Sequence, residues 1–322
     1  MYLLWKFVWT NFALLLSLSQ GVTIFKPSGE TKLHSSPFAY AVITGREEGM
    51  PRIWIIELNK VKELAANDDW RKLAATKMHR LEFDEDAYDV GIGGNRDPCL
   101  PYVVISYDSM VTPPSHIAIP LDNPSDLYSR VLLKEKYVPG YDKTMYTCER
   151  TSVRSRDGMT DIPVSLVYHR DVLQLRKNGA MPTHLYGYGS YGASIEASFR
   201  STRLPLLNRK VVYALAHVRG GGEMGRPWYD DAKYLTKMKS FNDFVDVARW
   251  LVNDEDIDGS DASVAEDLSS IGKGITTSNK LSCEGRSAGG LLIGSSINQQ
   301  PELFRAALLG VPFVDVACTF CH

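Results

Sequence analysis

The six residues Gly285-Arg-Ser287-Ala-Gly289-Gly290 constrain this chain more than any other stretch. A Gly-x-Ser-x-Gly string alone is weak evidence, but its flanks are the ones the motif needs. A short apolar strand pattern, Leu281-Ser-Cys283, precedes it, and a helix-like run, Leu291-Leu-Ile-Gly-Ser-Ser-Ile297, follows. A serine at such a strand-to-helix turn has a strained backbone. Its neighbours must be nearly bare of side chain so that adjoining elements can approach. The turn lifts the hydroxyl above the sheet and leaves the Ala288 N–H free at a helix N-terminus, where it can donate to an oxyanion. The competing reading is a glycine-rich turn with a structural serine.

The pattern around the motif is that of a parallel α/β sheet. Ile162–Tyr168, His184–Tyr188, Lys210–Ala216 and Asn279–Cys283 are predicted strands. Between the last two, Phe241, Phe244, Val245, Ala248, Leu251 and Val252 recur at helical spacing, with Asn242, Asp243, Asp246 and Arg249 on the opposite, polar face. Ser240 with Asp243 resembles a capping box and predicts the helix start there. The acidic stretch Asn253 to Ser278 is long for a helix-to-strand connection and reads as a surface insertion.

From about residue 36 to 135 the chain is instead a series of short strand patterns broken by Gly, Pro, Asn and Asp: 38–44, 52–58, 102–107 and 115–120. At about 40–50 residues per blade this stretch makes about two propeller blades, too few to close a ring of about four to eight.

A net charge of -2 gives no basis for binding nucleic acid or an anionic membrane. Five scattered cysteines, an odd number, fit a reducing compartment. Residues 7–25 carry no charge and follow Lys6. A signal peptide and an ordinary buried segment both remain open for them, while the polar residues in their midst argue against a membrane span. Arg219-Gly-Gly-Gly-Glu223 lacks the ending of a phosphate loop and reads as a tight structural loop, and Gly91-Ile-Gly93-Gly94 reads as a turn. Cys318-Thr-Phe-Cys321-His322 matches a haem or zinc pattern literally, but no further ligand pair accompanies it. No cofactor and no metal are expected.

Tyr186-Gly-Tyr188-Gly-Ser-Tyr191-Gly192, Arg219-Gly-Gly-Gly-Glu223, Cys283-Glu-Gly-Arg-Ser-Ala-Gly-Gly290 and Gly310-Val-Pro-Phe-Val-Asp315 together resemble the prolyl oligopeptidase family of serine peptidases. Within it they are most similar to the oligopeptidase B branch. Val138-Pro-Gly-Tyr141 and Ser155-Arg-Asp-Gly158 fit the start of the catalytic domain, and the likeness covers roughly residues 36–252 and 279–317. The resemblance implies an α/β-hydrolase catalytic domain preceded by part of a β-propeller. It implies a cytoplasmic endopeptidase that hydrolyses short peptides after Arg or Lys, without nucleic-acid or membrane partners. A secreted or membrane-associated protein is the alternative if residues 1–25 are a signal segment.

The implied roles are Ser287 as nucleophile, Tyr188 and the Ala288 N–H as oxyanion donors, and Phe313 in the substrate pocket. The family's triad Asp and His follow the serine. Here Asp315 and His322 are the only such residues after Ser287, and neither matches. The chain is therefore read as C-terminally truncated: residues 1–30 an apolar leader, 31–138 about two blades, 139–322 an incomplete hydrolase domain with the 253–278 insertion. An inactive fragment is the second reading. A different α/β-hydrolase such as an esterase is the third; the Tyr-Gly-Tyr-Gly segment argues against it, because esterases use a His-Gly-Gly-Gly type loop.

Overall fold

The structure, a computed structural model, describes residues 19–25, 40–57, 79–252 and 271–315, the first of these segments as backbone only. The chain divides into two compact units, 1–84 with 88–137, and 85–87 with 138–322.

The first unit holds two four-stranded antiparallel meanders of the propeller-blade kind. One runs β1 (Ser19–Phe25), β2 (Tyr40–Glu47), β3 (Met50–Glu57), β4 (His79–Arg80). The other runs β5 (Tyr88–Ile92), β6 (Tyr102–Ser109), β7 (Ser115–Pro120), β8 (Val131–Glu135). The β2–β3 hairpin turns through Glu48 and Gly49, both at positive φ (51° and 76°). That is the conformation a two-residue hairpin needs to follow the twist of its strands. Along β6, Val103, Ile105 and Tyr107 are buried while the residues between them are not, the alternation of a strand with one face in a core. Ile53, Ile55, Ile119 and Leu121 complete that core.

β1 narrows the sequence reading. Of residues 1–30, read as an apolar leader with an ordinary buried segment left open, Ser19–Phe25 pairs antiparallel with β2 from Gly45 to Tyr40. An uncharged run next to a strand of complementary register is as good a strand as a leader core, and periodicity does not separate them. Residues 1–18 and 26–30, the rest of that segment, lie outside the described residues, as do Cys318, Cys321 and His322.

The second unit is built on a six-stranded sheet in the order β14-β13-β11-β12-β10-β9. Its strands are β9 (Tyr146–Arg154), β10 (Asp161–His169), β11 (Thr183–Gly187), β12 (Val212–Ala216), β13 (Leu281–Arg286) and β14 (Ala306–Gly310). β12, β11, β13 and β14 run parallel, while β10 and β9 are antiparallel to their neighbours. β12 is buried along its whole length, as a parallel strand covered on both faces must be. Helices α1 (Met238–Val252) and α2 (Ala288–Gln299) pack on the sheet. Phe241, Phe244, Val245, Ala248 and Leu251 of α1 join Leu292 and Ile293 of α2 in one core. Gly187, at the end of β11, lets both helices close over the strand: a Cβ there would lie 2.7 Å from Phe244 and 2.8 Å from Leu292.

Three details differ from expectation. α1 starts at Met238, and Ser240 does not cap it; the Ser240 hydroxyl donates instead to the Arg219 carbonyl (2.6 Å). Asp243 and Asp246 do not face solvent but are fully buried, bonded to Arg219 and Arg156. Of the stretch 253–278, residues 253–270 lie outside the described residues. Ile271, Gly272, Ile275 and Thr276 are buried, with the Ile275 carbonyl accepting from Met181 N–H (2.7 Å). The end of the expected surface insertion is therefore part of the core.

Two outer strands, β8 and β14, expose apolar side chains. Val131, Leu132 and Leu133 on β8 are 55%, 57% and 52% exposed, and Leu308 on β14 is 50% exposed. Unpaired apolar edges favour association between copies. The chain is expected to self-associate at micromolar concentration, and Leu132→Lys with Leu308→Lys to raise the monomer fraction severalfold at unchanged circular dichroism. Sedimentation velocity checks this; a monodisperse wild-type monomer contradicts it.

Candidate active site

Ser287 lies between β13 and α2 with φ 54° and ψ -118°, a conformation that costs a non-glycine residue about 1–3 kcal/mol. Main-chain bonds on both sides hold it there. Its N–H donates to the carbonyl of Gly310 at the end of β14 (2.9 Å), and its carbonyl accepts from Gly290 (2.8 Å) and Phe313 (3.0 Å). The glycines of the motif are steric requirements. A Cβ on Gly285 would lie 2.1 Å from the Gly289 carbonyl oxygen, and one on Gly290 would lie 2.6 Å from Pro312. Ser287 is exposed and its side chain does not cap α2. Among the described residues its hydroxyl and the Ala288 N–H have no hydrogen-bond partner. A free hydroxyl thus stands beside a free amide at a helix N-terminus, the arrangement that stabilises a developing oxyanion.

Two further segments meet the turn. β11 ends at Gly187 and delivers Tyr188 onto Gly289, where a Cβ would lie 3.3 Å from the Tyr188 ring. Burial first, and then Tyr191, push the Tyr188 phenol above its ordinary range, so it is a proton donor at neutral pH. After β14, Val311 adopts a positive φ of 41° and Phe313 returns to the Ser287 carbonyl. The structure therefore brings Ser287, Ala288, Tyr188 and Phe313 to one place. Tyr191, Gly192, Gly222, Tyr229 and Arg226 line an open pocket of about 450 Å³.

No hydrogen bond joins a described histidine of the second unit to Ser287. His79 bonds Ser125, His184 bonds Ser282 and Glu284, and His217 bonds Ser165. His169 accepts from the Asp171 N–H, and His116 is exposed in the first unit. Asp315 is exposed, and His34 and His322 lie outside the described residues.

Sequence reasoning missed the ion network that shapes the Tyr188 side of the site. The buried Arg219 guanidinium bonds Asp243 (2.6 Å), Asp157 (2.6 Å), Asp231 (3.0 Å) and Ser155 (3.1 Å). It anchors the tight loop Gly220–Gly222, where a Cβ on Gly220 would meet the Gly189 carbonyl at 2.3 Å. The signal was available: arginine before three glycines, and carboxylates on a helix face flanked by apolar residues.

The prolyl oligopeptidase family model matches residues 197–265 and 262–322. Dipeptidyl aminopeptidase BI of Pseudoxanthomonas mexicana is 42% identical over 239 residues, 74% of this chain and 30% of the relative. The chain belongs to the prolyl oligopeptidase family. Protease 2 of Moraxella lacunata is 32% identical over 279 residues, 86% of this chain and 34% of that protein. The closed form of oligopeptidase B from Trypanosoma brucei with covalently bound antipain superposes with a TM-score of 0.70 at 36% identity, covering 94% of this chain and 37% of that one. The fold is accordingly an α/β-hydrolase domain preceded by part of a β-propeller. The chain spans about a third of the length of these relatives.

The Arg219 network sets an acid limit. Burial works against ionisation of Asp157, but the Met159 N–H, Arg219 and Thr160 outweigh it and hold the carboxyl down at about 2. Its folded pKa lies below the ordinary value, so its contribution is present above about pH 4 and is lost as pH falls towards 2. Arg219→Met leaves Asp243 buried without its cation and is expected to destabilise by about 3–5 kcal/mol, with a shallower loss of stability between pH 4 and 2. Urea unfolding of the second unit across that range checks both.

Proposed function

We propose that Ser287 is the nucleophile of a serine endopeptidase that cleaves short peptides on the carboxyl side of Arg or Lys. The Ser287 oxygen attacks the scissile carbonyl carbon, and its proton passes to a histidine base and then to the leaving amine. The Tyr188 phenol and the Ala288 N–H receive the charge on the carbonyl oxygen, and Phe313 lines the pocket for the residue before the cleaved bond. The observation that carries this is Ser287 itself, exposed at positive φ with a free hydroxyl next to the free Ala288 amide. Preference for Arg and Lys is supported by the likeness to oligopeptidase B. The cytoplasm is the proposed compartment on the same likeness. No helix among the described residues is long and apolar enough to cross a membrane.

Two observations favour narrower readings. Among the described residues, His79, His169, His184 and His217 bond other groups, which favours an inactive polypeptide wherever no base reaches Ser287. Without its base a serine hydroxyl is a poor nucleophile, and the loss is about 10⁴–10⁶-fold in kcat. The 42% identity to a dipeptidyl aminopeptidase supports release of N-terminal dipeptides as the competing specificity.

A chimera joining this chain to the C-terminal segment of a family member decides among them. It is expected to cleave N-blocked peptide amides after Arg, to lose that activity in Ser287→Ala, and to lose about 10²–10³-fold in kcat in Tyr188→Phe with KM little changed. The 322-residue chain alone is expected to show negligible turnover and little fluorophosphonate labelling. Preference for Pro, or action only on peptides with a free N-terminus, contradicts the assignment. Rapid labelling of the chain alone, lost in Ser287→Ala, contradicts its inactivity.

A further inference from the structure

Lys237 is a half-buried lysine whose ammonium faces neutral acceptors. It donates to the Gly189 carbonyl, to Ser190 Oγ (3.0 Å) and to Ser240 Oγ (3.1 Å), and it sits 5.7 Å from the Phe241 ring centre. Three N–H donors thus meet three oxygens, and two of the three belong to the residues that directly follow Tyr188. The turn they form is tight. Gly189 has φ 63°, a Cβ on it would lie 2.5 Å from Val218, and its carbonyl lies against Gly220 and within 3.4 Å of Ser240 Oγ. Ser240 in turn donates to the Arg219 carbonyl (2.6 Å), and the Gly192 N–H donates to the Gly220 carbonyl (3.0 Å). Lys237 is therefore where the Tyr188 turn, the glycine loop and the start of α1 are joined.

We propose that Lys237 is a positioning residue for Tyr188: it clamps the Gly189–Ser190 turn so that the Tyr188 ring is held against Gly289 beside Ser287. The role of the phenol itself rests on the reading of the site given above, whereas the clamp does not. No carboxylate among the described residues bonds the Lys237 ammonium. Arg219 and Asp243 join it only through Ser240, and Tyr188 and Tyr191 are the titratable groups of the turn. Burial accordingly lowers Lys237 from 10.5 to about 8. The closed turn binds a proton less readily than an open one, so closure gains stability as pH rises through about 8. The amine retains two N–H donors for the clamp.

Hydrogen exchange of the full chain, read by mass spectrometry, tests this. In Lys237→Met, peptides covering 186–193 are expected to exchange about tenfold faster while those covering 162–168 are unchanged. In wild type, protection of 186–193 corrected for intrinsic rates is expected to rise by up to about tenfold from pH 7 to 9, and that rise to vanish in the variant. Unchanged exchange of 186–193 in Lys237→Met overturns the proposal. If the variant unfolds, seen as fast exchange of 162–168, Ser190→Ala, which removes one acceptor of the clamp, decides: faster exchange of 186–193 is expected, and unchanged exchange overturns the proposal. Neither readout needs hydrolysis, so a failed clamp and a failed peptidase assignment give different signatures.

Discussion

The structure of the site depends on one backbone conformation, that of Ser287. A residue at φ 54° and ψ -118° in a non-glycine position persists only where its surroundings over-determine it. Here they do so from three directions: the carbonyl of Gly310, the N–H of Phe313 and the first turn of α2. The sheet order explains why these arrive together. β14 lies beside β13, so the end of β14 is next to the elbow in space, and β11 on the other side brings Tyr188. Ligands and reacting groups gather at the carboxyl ends of parallel strands for this reason.

A second layer of support lies away from the serine. Arg219, with Asp157, Asp231 and Asp243 around it, fixes the glycine loop, and the loop fixes the turn that follows Tyr188. Buried charges of this kind contribute little net stability against a well-packed apolar alternative, yet removing one partner is costly. Their effect is to leave the loop a single arrangement. The site is thus rigid on its Tyr188 side through electrostatics and on its Phe313 side through main-chain hydrogen bonds.

How much of this the sequence carried varies with the distance over which each feature is decided. The elbow was legible because its glycines answer contacts a few residues away, as Gly285 does against Gly289. The strands of both units were legible because burial imposes short-period patterns. Asp243 and Asp246 were misread as a solvent face because what buries them, Arg219 and Arg156, is tertiary, and helical periodicity places polar residues without saying what they meet. Ser240 resembles a cap in the sequence for the same reason, since its acceptor, the Arg219 carbonyl, is also tertiary. Ile271 and Ile275 were hidden in a polar composition, although two isoleucines four apart are enough to fill a gap beside Met181 and Trp250. β1 was hidden because an uncharged segment suits a leader and a sheet edge equally well.

The Ser287 backbone is held under strain with its hydroxyl exposed and, among the described residues, unbonded. Equilibrium urea unfolding of Ser287→Gly measures that strain. Glycine adopts this φ without penalty and removes a side chain that bonds nothing among the described residues. A gain of about 1 kcal/mol is expected from the relief of a left-handed non-glycine residue, net of the greater freedom glycine has when unfolded. A loss of stability would mean that the Ser287 side chain supports the turn, and that the serine is structural.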